Sequence, residues 1–253
     1  MSWQRPHRHA ELIAHYDAVA DAAALRYGPD SQGLSFVLYG QLCAMRTALL
    51  QDPDSVVLAA RIAAVREEIQ RTYRLTTAPR HDSAPVRTIA AAPKLYEYDR
   101  ATFDRRYASV VEAVQPEIVT VDGPDIAPLR AGEPHIFAID DVGGLRVWNR
   151  SQSLADLIFG RNRVMIGGVP VVHPVLVPDR LQVAAAGEII FLGGPKVRAV
   201  VANTKSGHFR PDPDSADVIR QTCRALFGLN DRDIDVFTFD LTVWTRAGRQ
   251  HRP

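Results

Sequence analysis

Apolar residues recur at spacings of three and four through the first third of the chain, the repeat of a helix with one buried face. Leu12, Ile13, Tyr16, Val19, Ala20 and Ala23 form the first stripe, and Gly28-Pro29-Asp30 ends it. A second stripe begins after Ser31 or Gly33 and runs through Phe36, Leu38, Leu42, Met45, Leu49 and Leu50. Asp52-Pro53-Asp54-Ser55 breaks that helix and offers short side chains that accept bonds from the free N–H groups of the next one. The third stripe sets Val56, Leu58, Ile62, Val65, Ile69 and Tyr73 against Arg61, Arg66, Glu67 and Glu68. Residues 1–75 therefore predict a helical segment of about three helices, packed on each other or on the rest of the chain.

The period then changes. Residues 76–93 hold three prolines and little periodicity, which reads as a linker or an extended strap crossing the fold. An aromatic helix follows from 99 to about 113, with Tyr98, Phe103, Tyr107 and Val110 inward. Alternation over 117–121, 135–140 and 145–148 predicts strands, the last two joined by the hairpin turn Asp141-Val142-Gly143-Gly144. Residues 151–159 suit a short helix, and the Val- and Pro-rich 165–177 suits strand edges and turns. Two more strands, 183–192 and 197–203, flank Gly193-Gly194-Pro195. Pro213-Asp214-Ser215 opens a helix through Ile219, Cys223 and Phe227 that stops at Gly228, and 233–244 reads as a last strand before a loose tail. Helices first and strands after predict an α+β fold, with a mainly antiparallel sheet and interspersed helices in an α+β domain over 94–253.

Composition changes this picture little. Hydrophobic residues make up 46% and charged residues 23%, and the formal net charge is +1, so no overall field draws the molecule to nucleic acid or to a membrane surface. Lys94, Lys196 and Lys205 are the only lysines; every other fixed cation is arginine. Cys43 and Cys223 lie in apolar helical patterns without ligand-like spacing and read as core thiols. No leader pattern opens the chain and no apolar run approaches the ~20 residues of a membrane helix, so a cytoplasmic protein is expected. Trp3, Trp148, Trp244 and the aromatics of 96–107 suit packing better than a stacking face for nucleic acid.

The candidate chemistry is concentrated between His173 and Pro211. His173, Glu188 and His208 fall on strand ends or turns, where side chains from a rigid sheet converge. A histidine and a carboxylate can exchange protons near neutral pH, and two histidines with a carboxylate could form a facial metal triad. The tight spacing of known metal motifs is missing, and no metal is expected. Ser206-Gly207-His208 stands just before a helix start; Gly207 permits a left-handed backbone, and Lys205 and Arg210 could draw an anion to the helix N-terminus. Each residue also has a plain structural use. The histidines and Ser206 can satisfy backbone groups, and Glu188 can lie on a solvated strand face. Gly167-Gly168 and Gly193-Gly194 lack the frame of a phosphate loop and read as turns.

Three segments carry a resemblance to a known family. They are HIFAIDDVGGLRVW (135–148), His173 followed by AAAGE (184–188), and SGHFRP (206–211). Together they resemble the C-terminal module of the plant IQM family of calmodulin-binding proteins, over roughly 96–240, a module also found in bacterial toxin-like proteins. Pro174 and Val175 depart from the Ser-Ser that usually follows the family's histidine, and residues 1–75 hold no basic repeat of the calmodulin-binding kind. The toxin-like context implies an enzyme whose cleft takes an anionic, nucleotide-like substrate, with NAD as the substrate of an ADP-ribosyl transfer to a protein or small-molecule acceptor. In that reading His173, Glu188 and His208 are catalytic, and Lys205, Ser206, Gly207 and Arg210 bind substrate. The alternative is a non-catalytic regulatory module whose N-terminal helices bind a protein partner, for which an exposed apolar stripe on those helices would be the sign.

Overall fold

A computed structural model describes residues 4–76, 84–159 and 164–238. The frayed start, Trp3, most of the strap, the end of the last expected strand with Trp244, and the tail lie outside the described residues. The three stripes become α1 (Gln4–Tyr27), α2 (Gln32–Gln51) and α3 (Val56–Thr76). Ser31 caps α2, its hydroxyl accepting from the Leu34 amide at 3.1 Å. By length and composition α2 could span a bilayer, yet Leu38, Leu42 and Met45 on its stripe are fully buried between α1, α3 and the sheet.

The segment after α3 contains structure that the loss of periodicity had hidden. β1 (Val86–Ile89) pairs antiparallel with β2 (Leu95–Tyr98), so the strap ends as the edge of the sheet. The expected helix over 99–113 is broken into α4 (Arg100–Arg106), a 3-10 turn and α5 (Val111–Val114). Tyr107 causes the break: it leaves helical geometry at φ −131° while its buried ring packs on Phe103, Tyr98 and His208. Next come β3 (Ile118–Val121), β4 (Pro134–Asp140) and β5 (Leu145–Trp148), with Asp140 accepting from the Gly144 amide at 2.7 Å across the hairpin turn. They are followed by α6 (Leu154–Phe159), the short pair β6 (Met165–Ile166) and β7 (Val169–Pro170), β8 (Gln182–Leu192), β9 (Ala199–Asn203), α7 (Ser215–Phe227) and β10 (Ile234–Phe237).

The molecule is α+β. Its eight-stranded sheet runs β1-β2-β8-β4-β5-β3, with β9 on β8 and β10 on β9, and every pairing is antiparallel except β9 with β10. Register sorts the side chains into two faces. Ile189, Phe191, Val200 and Ala202 meet α7 through Ile219, Cys223 and Phe227. On the other face Ile190, Leu192, Val201 and Phe237 meet α2 and α3, while Ile136, Ala138, Ala186 and Trp148 meet Phe103, Val175 and Phe209. Cys223 is buried and Cys43 half-buried, and burial pushes both thiols up to about 12.

One ion pair ties the helices to the last strand. Asp235 on β10 has no exposure; Arg46 of α2 donates to both its oxygens at 2.7 and 2.8 Å, and Arg66 of α3 stands 2.8 Å from the same carboxylate. Removing the carboxylate leaves a buried guanidinium unpaired, so Asp235→Ala is expected to cost about 3–5 kcal/mol in urea unfolding. Arg66→Ala should cost less, because that side chain is already 37% exposed to water.

Candidate functional site

β8 is the organising strand of the site. Along one edge it pairs with β2 at Gln182 and Val183 and with β9 from Ile189 to Leu192. Between these two ladders, residues 184–188 leave strand pairing on that edge, and the side chain of Asn203 bridges the gap. Its Oδ1 accepts from the backbone amides of Glu188 at 3.1 Å and Lys205 at 2.9 Å. The strands come so close here that a Cβ on Gly187 would stand 1.9 Å from the Asn203 carbonyl oxygen, so only glycine fits.

Glu188 follows that glycine and points inward, not onto a solvated face. It is 7% exposed, and its Oε2 meets no hydrogen-bond partner among the described residues. Lys205 Nζ stands 4.0 Å from Oε1 and donates to the Leu157 carbonyl at 2.5 Å. Burial raises the Glu188 carboxyl above the ordinary carboxylate range, and Lys205 and Asn203 offset part of that rise. Asn203 Nδ2 and the Tyr39 hydroxyl are likewise buried without a hydrogen bond of good geometry, although Asn203 lies close enough to the carboxyl, and Tyr73 and Asn203 to the phenol, to lower both groups. Tyr39 is held well above its usual value by burial and then by the Glu188 charge, which places it within electrostatic reach of the carboxylate. A carboxylate oxygen, an amide nitrogen, a phenol and an ammonium thus lie close together in the interior. Buried polar atoms left open in this way call for a ligand or a local role.

The other expected residues gather nearby, with different tasks. His173 opens a 3-10 turn, His173–Leu176, and its Nε2 donates to the Gly187 carbonyl at 3.0 Å. The His208 ring lies 6.4 Å from it, with Nε2 3.2 Å from the Tyr107 hydroxyl and the Tyr98 ring 5.8 Å away. Both histidines are buried; His173 ties its own turn to β8, and His208 holds the turn after β9 against Tyr98 and Tyr107. Ser206 is buried too; its hydroxyl accepts from the Phe209 amide at 3.3 Å and its carbonyl from the Arg210 amide at 2.8 Å. The left-handed position expected at Gly207 is found at Arg210, φ 49°.

The anion site expected at the start of α7 is not formed. Arg210 turns away and donates to the Ala84 carbonyl at 2.5 Å, while Lys205 faces Glu188. Asp212, Asp214 and Asp217 surround the first turn of α7, and Asp212 Oδ1 accepts from the Asp214 amide at 3.2 Å. The first amides of α7 bond to the backbone carbonyls of Asp212, Pro213 and Asp214, and the cations nearby, Lys94 and Arg220, are paired with Asp212 and Asp217. Among the described residues, His173, Glu188 and His208 do not form a metal-holding group, nor does any other set of three or more His, Cys, Asp or Glu.

Tyr39 and Asn203 escaped the sequence reading. Tyr39 sits within the apolar stripe of α2 and Asn203 ends an apolar strand, so neither pattern sets them apart from core. No family model, curated protein or solved structure matches the chain, and the site rests on its own geometry.

Two outcomes follow. Gly187→Ala should lose about 1–3 kcal/mol of stability in denaturant unfolding, as an overpacked strand crossing does. Glu188→Gln should change the pH profile of stability. With its carboxyl raised in the folded state, Glu188 takes up a proton on folding, so wild-type stability falls as pH climbs from the ordinary carboxylate range through the folded value. The thermal midpoint of Glu188→Gln, followed from about pH 4 to about pH 8, should therefore gain on wild type as pH rises.

Proposed function

We propose that the chain is an enzyme in which Glu188, tuned by Lys205, moves a proton to or from an anionic, nucleotide-like substrate. The observation that carries this reading is the set of open polar atoms around Glu188: its own Oε2, Asn203 Nδ2 and the Tyr39 hydroxyl, all buried. Acid–base work is done best by a group brought toward the working pH, and burial raises the carboxyl while Lys205 limits the rise. Asn203 and Lys205, the donors beside Glu188, would meet the negative charge of such a substrate.

Within this class we favour glycosyl transfer from NAD. The bond between the nicotinamide nitrogen and the ribose carbon breaks, and nicotinamide leaves with the bonding pair. The acceptor, water or a side chain of another molecule, bonds to that carbon and gives its proton to Glu188. In this scheme His173 and His208 are positioning residues. His173 holds the Gly187 backbone, and His208 holds the turn that presents Lys205.

The second reading, a partner-binding module, needed an exposed apolar stripe on α2 or α3. Leu34, Leu38, Tyr39, Leu42 and Met45 on α2, and Leu58, Ile62, Val65, Ile69 and Tyr73 on α3, are buried instead; Val56 and Val57 at the start of α3, and Leu25 and Tyr27 at the end of α1, are exposed but lie at helix ends and form no continuous stripe. That burial favours the enzyme.

Release of nicotinamide from NAD tests the proposal. Glu188→Gln is expected to lower turnover by about 10²–10⁴-fold, the usual worth of a positioned acid or base. Lys205→Met removes the charge that holds the carboxyl down, so the limb of the activity profile that needs ionised Glu188 should move to higher pH. Full turnover in Glu188→Gln would remove that residue from the mechanism. Absence of nicotinamide release by the folded wild type would overturn the choice of NAD.

A further inference from the structure

A second feature lies away from Glu188, where α2 and α3 meet the start of β9 and the loop after α7. A cleft of about 460 Å³ opens there, within the size range of small-molecule sites. Four arginines line it: Arg46, Arg66, Arg198 and Arg232. Asp233 is the carboxylate on its wall, and Asp235 lies buried beneath, held by Arg46 and Arg66. Four guanidiniums against these two carboxylates leave two positive charges in excess. Two neighbouring acids are engaged elsewhere: Asp52 stands 3.6 Å from His9, and Asp231 pairs with Arg224 at 3.0 Å.

Docking the helices requires only part of this charge. Arg46 takes both oxygens of Asp235 and is 4% exposed, which completes a bidentate pair. Arg66 adds a second guanidinium to a carboxylate that is already matched. Arg198 donates to the Leu50 carbonyl at 2.9 Å, a neutral partner that leaves its charge uncompensated. Arg232 is 78% exposed and stands 3.8 Å from Asp233. The remaining wall is apolar, with Leu49, Ile62, Val197, Phe227 and Leu229. Crowded cations over an apolar floor repel one another until an anion with an apolar body enters.

We propose that this cleft binds a small organic anion: a phosphate ester or carboxylate on an apolar body about the size of an aromatic ring. The anionic group takes the forks of Arg66, Arg198 and Arg232, and the body lies on Leu49, Ile62 and Phe227. This site is separate from Glu188 and does not depend on the reaction assigned there.

Titration calorimetry on the full chain with phenyl phosphate, inorganic phosphate and benzyl alcohol tests it. Saturable binding of phenyl phosphate is expected, with inorganic phosphate much weaker and benzyl alcohol without measurable heat. The exposed pair Arg198→Gln/Arg232→Gln should weaken phenyl phosphate about tenfold or more, the loss expected for charge-assisted hydrogen bonds. Ala59→Trp, at an exposed α3 position on the cleft wall, should block the cleft while leaving the Asp235 pairs in place. Circular dichroism confirms the fold of each variant, and Glu188→Gln should bind like wild type. The proposal is overturned if wild type shows no saturable binding, if both cleft variants bind unchanged, or if inorganic phosphate binds as tightly as its phenyl ester.

Discussion

A carboxylate with no access to water has to be neutralised where it sits, and Asp235 is neutralised by two helices that come from the other end of the chain. The two oxygens set the position of Arg46 in distance and in angle, because a guanidinium fork meets a carboxylate in one plane. That fixes the height and rotation of α2 over the sheet. Tyr39 lies seven residues earlier on the same helix, two turns or about 10 Å along the axis and on the same face. The pairing that docks α2 therefore also aims Tyr39 at Glu188 and Asn203.

The sheet supplies the other half of the arrangement through an interruption. β8 could be paired along its whole edge, but β2 and β9 share that edge and leave a gap between them. A gap in a buried ladder needs substitute hydrogen bonds. Asn203 supplies two through a single oxygen, and Gly187 makes room for the strand that brings it. The substitution is incomplete, since Glu188 Oε2 and Asn203 Nδ2 remain open inside the protein. Local stability is given up where a carboxyl is turned inward beside a lysine.

How far these features were legible depends on how local their causes are. The three stripes of α1–α3 and the hairpin of β4 and β5 could be read directly, because periodicity and a glycine-bearing turn act over a few residues. β1 was not legible, since its pairing with β2 comes from the tertiary edge and not from alternation in residues 86–89. The helix expected over 99–113 breaks because Tyr107 answers to Tyr98 and His208, which lie elsewhere in the chain. His173, Glu188, Lys205 and His208 stood out as polar residues in an apolar setting. Tyr39 did not, because a tyrosine in an apolar stripe has the same pattern whether its hydroxyl is idle or faces a carboxylate.

The sequence by itself determined the class of the fold, the three helices at its start, the hairpin of β4 and β5, and the segment that holds Glu188 and Lys205, because each follows from spacing and residue type within one stretch. Only the tertiary structure decided the partners: that Asp235 takes arginines from two helices, that Lys205 faces Glu188 while Arg210 turns to Ala84, and that carboxylates occupy the start of α7. Charge pairing acts through space between groups far apart in the chain. It depends on which faces are buried together, and that is settled only when the helices close over the sheet.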